Sequence, residues 1–93
     1  MVLTAKRLTI SGRVQGVWFR GWTVETANGI GLTGWVRNRA DGTVEAVVQG
    51  TENAVAKFLA RVHEGPPSAR VDSIEICEEP VSDMRDFEQW ATR

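Results

Sequence analysis

The stretch Leu32–Gln49, LTGWVRNRADGTVEAVVQ, decides the fold that we predict for this chain. It contains two runs of residues that favour strands, and the runs are separated by Ala40-Asp41-Gly42. An Asp-Gly pair between alternating runs is a strong signal for a β-hairpin. We therefore predict two neighbouring antiparallel strands, over Leu32–Arg39 and Thr43–Gln49.

A helix is predicted on each side of this hairpin. The apolar spacing over residues 19–28 indicates a helix that ends near Asn28-Gly29. After the hairpin, Thr51 can cap a second helix, and Gly65-Pro66-Pro67 ends it. The apolar residues of this second helix recur at spacings of three and four, as in a helix with one buried face: Ala54, Val55, Phe58, Leu59 and Val62.

Further strands are predicted before the first helix and after the second. Residues 7–14 alternate between apolar and polar, residues 71–76 do so after the second helix, and a short tail over 86–90 could add an edge strand. The order strand, helix, strand, strand, helix, strand is the split βαβ pattern. We predict an α+β fold, a ferredoxin-like two-layer sandwich (βαββαβ) in which two helices cover one face of an antiparallel sheet. Residues 1–93 are expected to form a single domain.

Composition limits the classes of function. A chain of 93 residues supports one hydrophobic core. Its 11 basic and 12 acidic side chains give a net charge of −1, so no global field draws it to nucleic acid or to anionic lipid. One cysteine cannot form an internal disulfide, and no long apolar segment follows a basic leader. We expect a cytoplasmic protein that binds neither nucleic acid nor membrane.

The segment between the first strand and the first helix could bind an anion. The first backbone N–H groups of a helix lack internal partners, so a turn that feeds them can wrap around a phosphate. Gly16 would let the backbone approach closely, and Arg20 would add a planar fork of donors with a permanent charge. The alternative is that Gly16 makes an ordinary turn and that Arg20 is a solvated residue at a helix start.

Asn38 is the second candidate, at the end of the first hairpin strand. By the two-residue period of a strand it shares a face with Gly34 and Val36. Its amide can orient a water molecule without becoming charged. The alternative is a hairpin residue that bonds its own backbone before the Asp-Gly turn.

Three motifs closely resemble the acylphosphatase family: GRVQGVWFR at 12–20, GLTGWVRN at 31–38 and DGTVE at 41–45. The resemblance implies hydrolysis of small acyl phosphates, with Arg20 holding the phosphate and Asn38 positioning the attacking water. It also implies a phosphate cradle of backbone amides, from Gln15, Gly16, Val17, Trp18 and Phe19. We expect a monomer that needs no metal and no cofactor.

Two residues depart from the family's pattern. Trp18 stands where the family more often has Phe or Tyr, which could reshape the loop. Gln89 interrupts the apolar alternation of the last strand, which leaves the stability of that strand in doubt. Two other functions remain possible on this fold: a module that reads RNA with Trp35 on its open sheet face, and a domain that binds anions without turnover.

Other residues that could carry chemistry are set aside. Residues 29–34 spell the dinucleotide-binding glycine pattern, but they close a helix and enter a strand, which is the wrong context. We expect His63 to be a surface cation at a helix end and Cys77 to be a structural thiol. The acidic residues of 78–83 are expected to be solvated rather than to hold a metal.

Overall fold

The computed structural model describes residues 2–93. Met1, which the predicted domain includes, lies outside the described residues. In chain order the elements are β1 (Leu3–Arg13), α1 (Phe19–Ile30), β2 (Thr33–Asn38), β3 (Val44–Thr51), α2 (Glu52–Val62), β4 (Arg70–Glu78) and β5 (Phe87–Gln89).

The five strands form one sheet in the order β4-β1-β3-β2-β5. β3 lies at the centre, antiparallel to both β1 and β2, and β4 is antiparallel to β1. β5 pairs parallel with β2, with Phe87 opposite Gly34, so the sheet is mixed where an antiparallel one was predicted. The cause is the segment 79–86, which crosses the end of the sheet at which β4 stops. β5 therefore starts from that end and runs opposite to β4.

Both helices lie on one face of the sheet, and a single core joins them to it. The buried faces of α1 and α2 contribute Phe19, Ala27, Val55, Phe58 and Val62 to this core. Alternate residues of the inner strands face them, since successive side chains of a strand point to opposite sides: Leu8, Ile10, Val36, Val44, Ala46 and Val48. This arrangement confirms the predicted two-layer α+β sandwich.

Most boundaries differ by one to four residues from those predicted, and two of these differences have a local cause. β1 begins at Leu3, four residues before the apolar alternation, because its first residues pair with Thr51 and the residues before it in β3. α1 continues to Ile30 and ends at Gly31 rather than near Asn28-Gly29. Gly31 adopts the left-handed conformation, with φ 92°, and its N–H donates to the carbonyls of Ala27 and Asn28.

The second helix begins and ends as the sequence predicts. The Thr51 hydroxyl accepts a hydrogen bond of 3.2 Å from the N–H of Ala54, which satisfies one of the unpaired donors of the first turn. The helix ends at Val62, shortly before Gly65. It packs on β1 and β3, whereas α1 packs on β2 and β5.

Candidate functional site

The loop between β1 and α1 presents unpaired backbone donors. Gly16 and Trp18 both have left-handed backbone conformations, with φ of 73° and 65°. The first helical hydrogen bond runs from Trp22 N–H to Trp18 C=O, so the N–H groups of residues 19–21 have no helical acceptor. Within residues 2–93, the N–H groups of 16–18 donate to no backbone carbonyl. These donors together can hold an anion.

A bulky residue rarely adopts a positive φ, because its Cβ then crowds the backbone. Trp18 does so at the N-cap of α1, where no side chain caps the helix. As a result, the N–H groups of the loop lie ahead of the amino end of α1, and no capping side chain accepts their hydrogen bonds.

Arg20 lies in the first turn of α1, and its side chain is half-buried. Its Nη1 donates a hydrogen bond of 3.1 Å to the carbonyl oxygen of Trp90, which follows β5. Within residues 2–93, no carboxylate forms an ion pair with this guanidinium. The charge of Arg20 is therefore oriented by the protein but not neutralised by it.

Asn38 ends β2 and is fixed through its backbone. Its carbonyl accepts a hydrogen bond of 2.9 Å from the N–H of Arg93. The turn that follows is closed by other groups: the Asp41 carboxylate accepts from both the N–H and the hydroxyl of Thr43. Those bonds lower the pKa of Asp41, the Thr43 hydroxyl contributing most. The structure thus gives the turn-closing role to Asp41 and leaves the Asn38 amide at a cavity.

That cavity, of about 250 Å³, brings the two candidates together. Its lining comes from the loop, the start of α1 and the ends of two strands: Val14, Gly16, Trp18, Phe19, Arg20, Gly21, Asn38 and Gln89. Of the predicted cradle residues, Gln15 and Val17 do not line it. The Val17 side chain is buried in the core, and the Gln15 side chain points to the hairpin.

The resemblance implies a backbone role for Gln15, and the structure adds a role for its side chain that the sequence does not predict. The Gln15 amide donates to the carbonyls of Arg39 and Thr43, at 2.8 and 2.9 Å. These bonds fasten the loop to the hairpin that carries Asn38. A glutamine in a turn gives no sequence signal for such a contact, because its partners lie more than twenty residues away.

The structure also explains why a polar residue, Gln89, interrupts the apolar pattern of the last strand. It lies opposite Val36 in the parallel pairing of β5 with β2, and it lines the cavity beside Arg20 and Asn38. The position is exposed, so an apolar side chain is not required there. Gln89 therefore interrupts the apolar pattern because it lies at the edge of the cavity. β5 itself is short, with three residues.

The other face of the sheet carries an ionic cluster. We call Glu45 and the arginines around it, Arg7, Arg37 and Arg39, the open-face cluster. Glu45 is buried, with a side chain 5% exposed, and it accepts from Arg37 at 2.7 Å, from Arg39 at 3.1 Å and from Arg7. Burial alone would raise the pKa of Glu45, but the bonds and charges of the three arginines outweigh it and lower that pKa.

Trp35, the candidate for reading RNA, is occupied on this open face. Its ring stacks on Trp90, with centroids 4.2 Å apart and planes within 6°. The guanidiniums of Arg37 and Arg7 lie 5.1 and 5.7 Å from its centroid. These contacts use the surface on which a base would have to stack.

The residues that we set aside lie outside the cavity. The glycine pattern of 29–34 spans the end of α1 and the start of β2, as expected. His63 is exposed, with Nδ1 2.9 Å from the carbonyl oxygen of Leu59. Cys77 is exposed on β4, so its thiol packs in no core and the structural role expected for it is wrong. The Glu79 carboxylate pairs with Arg7, so it is not simply solvated as expected.

Among residues 2–93, no three His, Cys, Asp or Glu side chains are grouped so that they could share a metal ion. Across the same residues, no helix has the length and apolar character needed to cross a bilayer.

Comparison with known proteins gives a consistent result. A family model described as acylphosphatase matches residues 6–89. The acylphosphatase of Rhodospirillum rubrum is 60% identical over 80 residues, which are 86% of this chain and 88% of that protein. Solved acylphosphatases of Coxiella burnetii and Bacillus subtilis superpose with a TM-score of 0.91 each, at 38% and 37% identity. The matched parts are 95% and 96% of this chain, and 93% and 99% of those proteins.

Proposed function

We propose that this protein hydrolyses the acyl phosphate bond directly and without a metal. The chain belongs to the acylphosphatase family and has acylphosphatase function. The products are a carboxylate and inorganic phosphate. The observation that carries this mechanism is the cavity in which Arg20, which has no ion-pair partner within residues 2–93, meets the loop's unpaired N–H groups and Asn38.

The charge of the phosphoryl group is met by Arg20 and the loop. In phosphoryl transfer the protein mainly positions the reactants and stabilises charge on the oxygens of the transferred group. Of the proposed cradle, Gly16, Trp18 and Phe19 line the cavity, and their backbone N–H groups supply fixed dipoles there. Arg20 supplies a full positive charge. Because the Trp90 carbonyl already orients the guanidinium, little reorganisation is needed when the phosphate binds.

Asn38 positions the water. Its amide oxygen accepts a hydrogen bond from the water, whose oxygen then attacks phosphorus while the bond from phosphorus to the acyl oxygen breaks. The carboxylate leaves with the electron pair of that bond. It is a good leaving group, so no protein acid is required, and the proton of the water passes to an oxygen of the phosphate. No covalent intermediate with the protein forms.

We place residues 1–93 in one acylphosphatase-like domain that acts as a monomer in the cytoplasm, on small acyl phosphates and without a cofactor. The net charge of −1 supports a substrate captured by local donors rather than by a global field. Neither nucleic acid nor membrane takes part.

The test measures release of carboxylate from benzoyl phosphate by protein treated with EDTA. We expect turnover to survive the chelator and kcat/KM to fall by roughly a thousandfold in Arg20→Ala, the effect of losing a charge-stabilising arginine. Arg61→Ala, on the exposed side of α2, is the matched control and should keep its activity.

Two results would contradict the proposal. Loss of turnover in EDTA, restored by a divalent cation, would place a metal in the mechanism. A folded wild-type protein that binds inorganic phosphate without cleaving benzoyl phosphate would be an anion-binding domain instead.

A further inference from the structure

The cavity has one apolar surface that the proposed hydrolysis leaves unused. Among its apolar lining residues, Val14 and Phe19 are 1% and 2% exposed, whereas Trp18 is 57% exposed. The backbone of Trp18 belongs to the proposed cradle, but its indole has no part in holding the phosphate. A large aromatic surface left open at the edge of a polar cavity is a candidate for ligand contact.

The indole is held in place by the helix that follows it. At Gly21 an added Cβ would lie 2.1 Å from Trp18 Nε1 and 2.6 Å from its Cε2, so the ring lies directly over this glycine. The absence of a side chain at Gly21 is therefore what allows the ring to lie against the first turn of α1. The left-handed backbone of Trp18 sets the direction from which the ring approaches.

The chemistry of the reaction leaves one part of the substrate without a partner. In-line displacement puts the attacking and leaving oxygens on opposite sides of phosphorus, so the acyl group points away from the water at Asn38. Asn38 and Gln89 belong to the sheet, and the rest of the lining comes from residues 14–21. Among those residues, Trp18 offers the exposed ring.

We propose that the Trp18 indole binds the acyl group of the substrate and makes the enzyme selective for aromatic over small aliphatic acyl phosphates. This rests on the proposed function and deepens it. An aromatic ring can stack on the indole, whereas a methyl group covers little of its surface.

The experiment compares kcat/KM for benzoyl phosphate with kcat/KM for acetyl phosphate. In Trp18→Ala the ratio of the two should fall about tenfold, the order of effect of one aromatic pair with its buried area. Taking the ratio within each variant cancels any general change in the cradle, and comparing it with the wild-type ratio cancels the different reactivities of the two substrates. Trp18→Phe should retain most of the selectivity.

A second variant displaces the ring without removing it. Gly21→Ala introduces the Cβ that the indole excludes, and alanine favours a helix over glycine, so a loss of folding is not expected. The ratio should fall here too. A fall in both variants supports the contact, whereas an unchanged ratio in either one, with an active wild type, overturns it and leaves the hydrolysis intact. A wild type that cleaves neither substrate would overturn both.

Discussion

Arginine side chains lie in two different environments in this molecule. In the open-face cluster, Arg7, Arg37 and Arg39 converge on the buried carboxylate of Glu45, and Glu79 adds a second carboxylate to Arg7. At the cavity, Arg20 has a backbone carbonyl as its partner, and no carboxylate within residues 2–93 pairs with it. In the first arrangement, carboxylates of the protein neutralise the positive charge of the arginines. The second keeps the charge available for an anion from outside.

The partners of an arginine, and not its position along the chain, distinguish these two uses. Both groups lie on the same sheet and its neighbouring helix, and Arg37 precedes Asn38 directly in β2. The alternation of a strand sends these two neighbours to opposite faces. One face therefore carries stability and the other the proposed chemistry, so changes on the two faces should separate in their effects.

Beside the loss expected in Arg20→Ala, the largest effect is expected at the cavity, in Asn38→Ala. Removing the amide that positions the water should cost about 3 to 4 kcal/mol of transition-state stabilisation, as for one preorganised polar group in an active site. The measurement is kcat/KM for benzoyl phosphate, with the unfolding free energy measured alongside. Asn28→Ala, on the exposed surface of α1, is the matched control. Wild-type activity in Asn38→Ala would remove Asn38 from the mechanism.

A smaller effect, on stability instead of on the rate, is expected in the open-face cluster, in Glu45→Gln. Losing the buried carboxylate leaves three arginines facing one another, which should lower the unfolding free energy by about 2 to 3 kcal/mol. We place the cost below that of a fully buried pair because Arg7 and Arg39 are partly exposed. Urea denaturation measures it, and Glu75→Gln on β4 should change stability by less than about 0.5 kcal/mol. Equal stability of the two variants would show that the cluster contributes nothing.

Inorganic phosphate should stabilise the wild type through Arg20. At ten times its dissociation constant, a ligand of the folded state adds about 1.4 kcal/mol to the unfolding free energy. Thermal unfolding in phosphate, against chloride of the same ionic strength, measures the gain. Arg20→Ala should lose it, whereas Arg61→Ala should keep it. The same gain in Arg20→Ala would place the anion elsewhere.

The smallest effect is expected from pH between about 5 and 8. An arginine stays charged and an amide stays neutral there, so kcat/KM should change little. Stability should hold as well. Since the folded-state pKa of Glu45 is lowered from 4.5, its contribution is complete above that value and is lost as pH falls through the depressed pKa.

Rates and unfolding free energies from pH 3 to 8, in wild type and in Glu45→Gln, test this. The variant should lose less stability in acid than the wild type does. An inflection of the rate near neutrality would point to a further catalytic group.

The sequence predicts the parts of this fold whose signals are local. The Asp41-Gly42 turn and the Thr51 cap each depend on a few adjacent residues with a defined conformational preference. The chain order of these elements then favours one architecture. That is why the hairpin and both helices follow from the residues themselves, whereas the roles proposed for Arg20 and Asn38 come from the resemblance to a family.

The parts that the sequence does not predict depend on distant partners. The parallel pairing of β5 is set by where the 79–86 segment crosses, which no periodicity records. The bonds from Gln15 to the hairpin and from Arg20 to Trp90 join residues far apart in the chain. Cys77 lies in an alternating strand, yet β4 is at the sheet edge and most of its residues are exposed.

The exposure of that cysteine has a practical consequence. The chain has one thiol, and it lies on β4, at the edge of the sheet opposite β5. Four strand spacings separate the two edges, or roughly 19 Å at the usual distance between neighbouring strands. A maleimide dye on Cys77 would attach at a single defined point, away from the cavity. It could report folding or surface immobilisation in single-molecule work while leaving the cavity unobstructed.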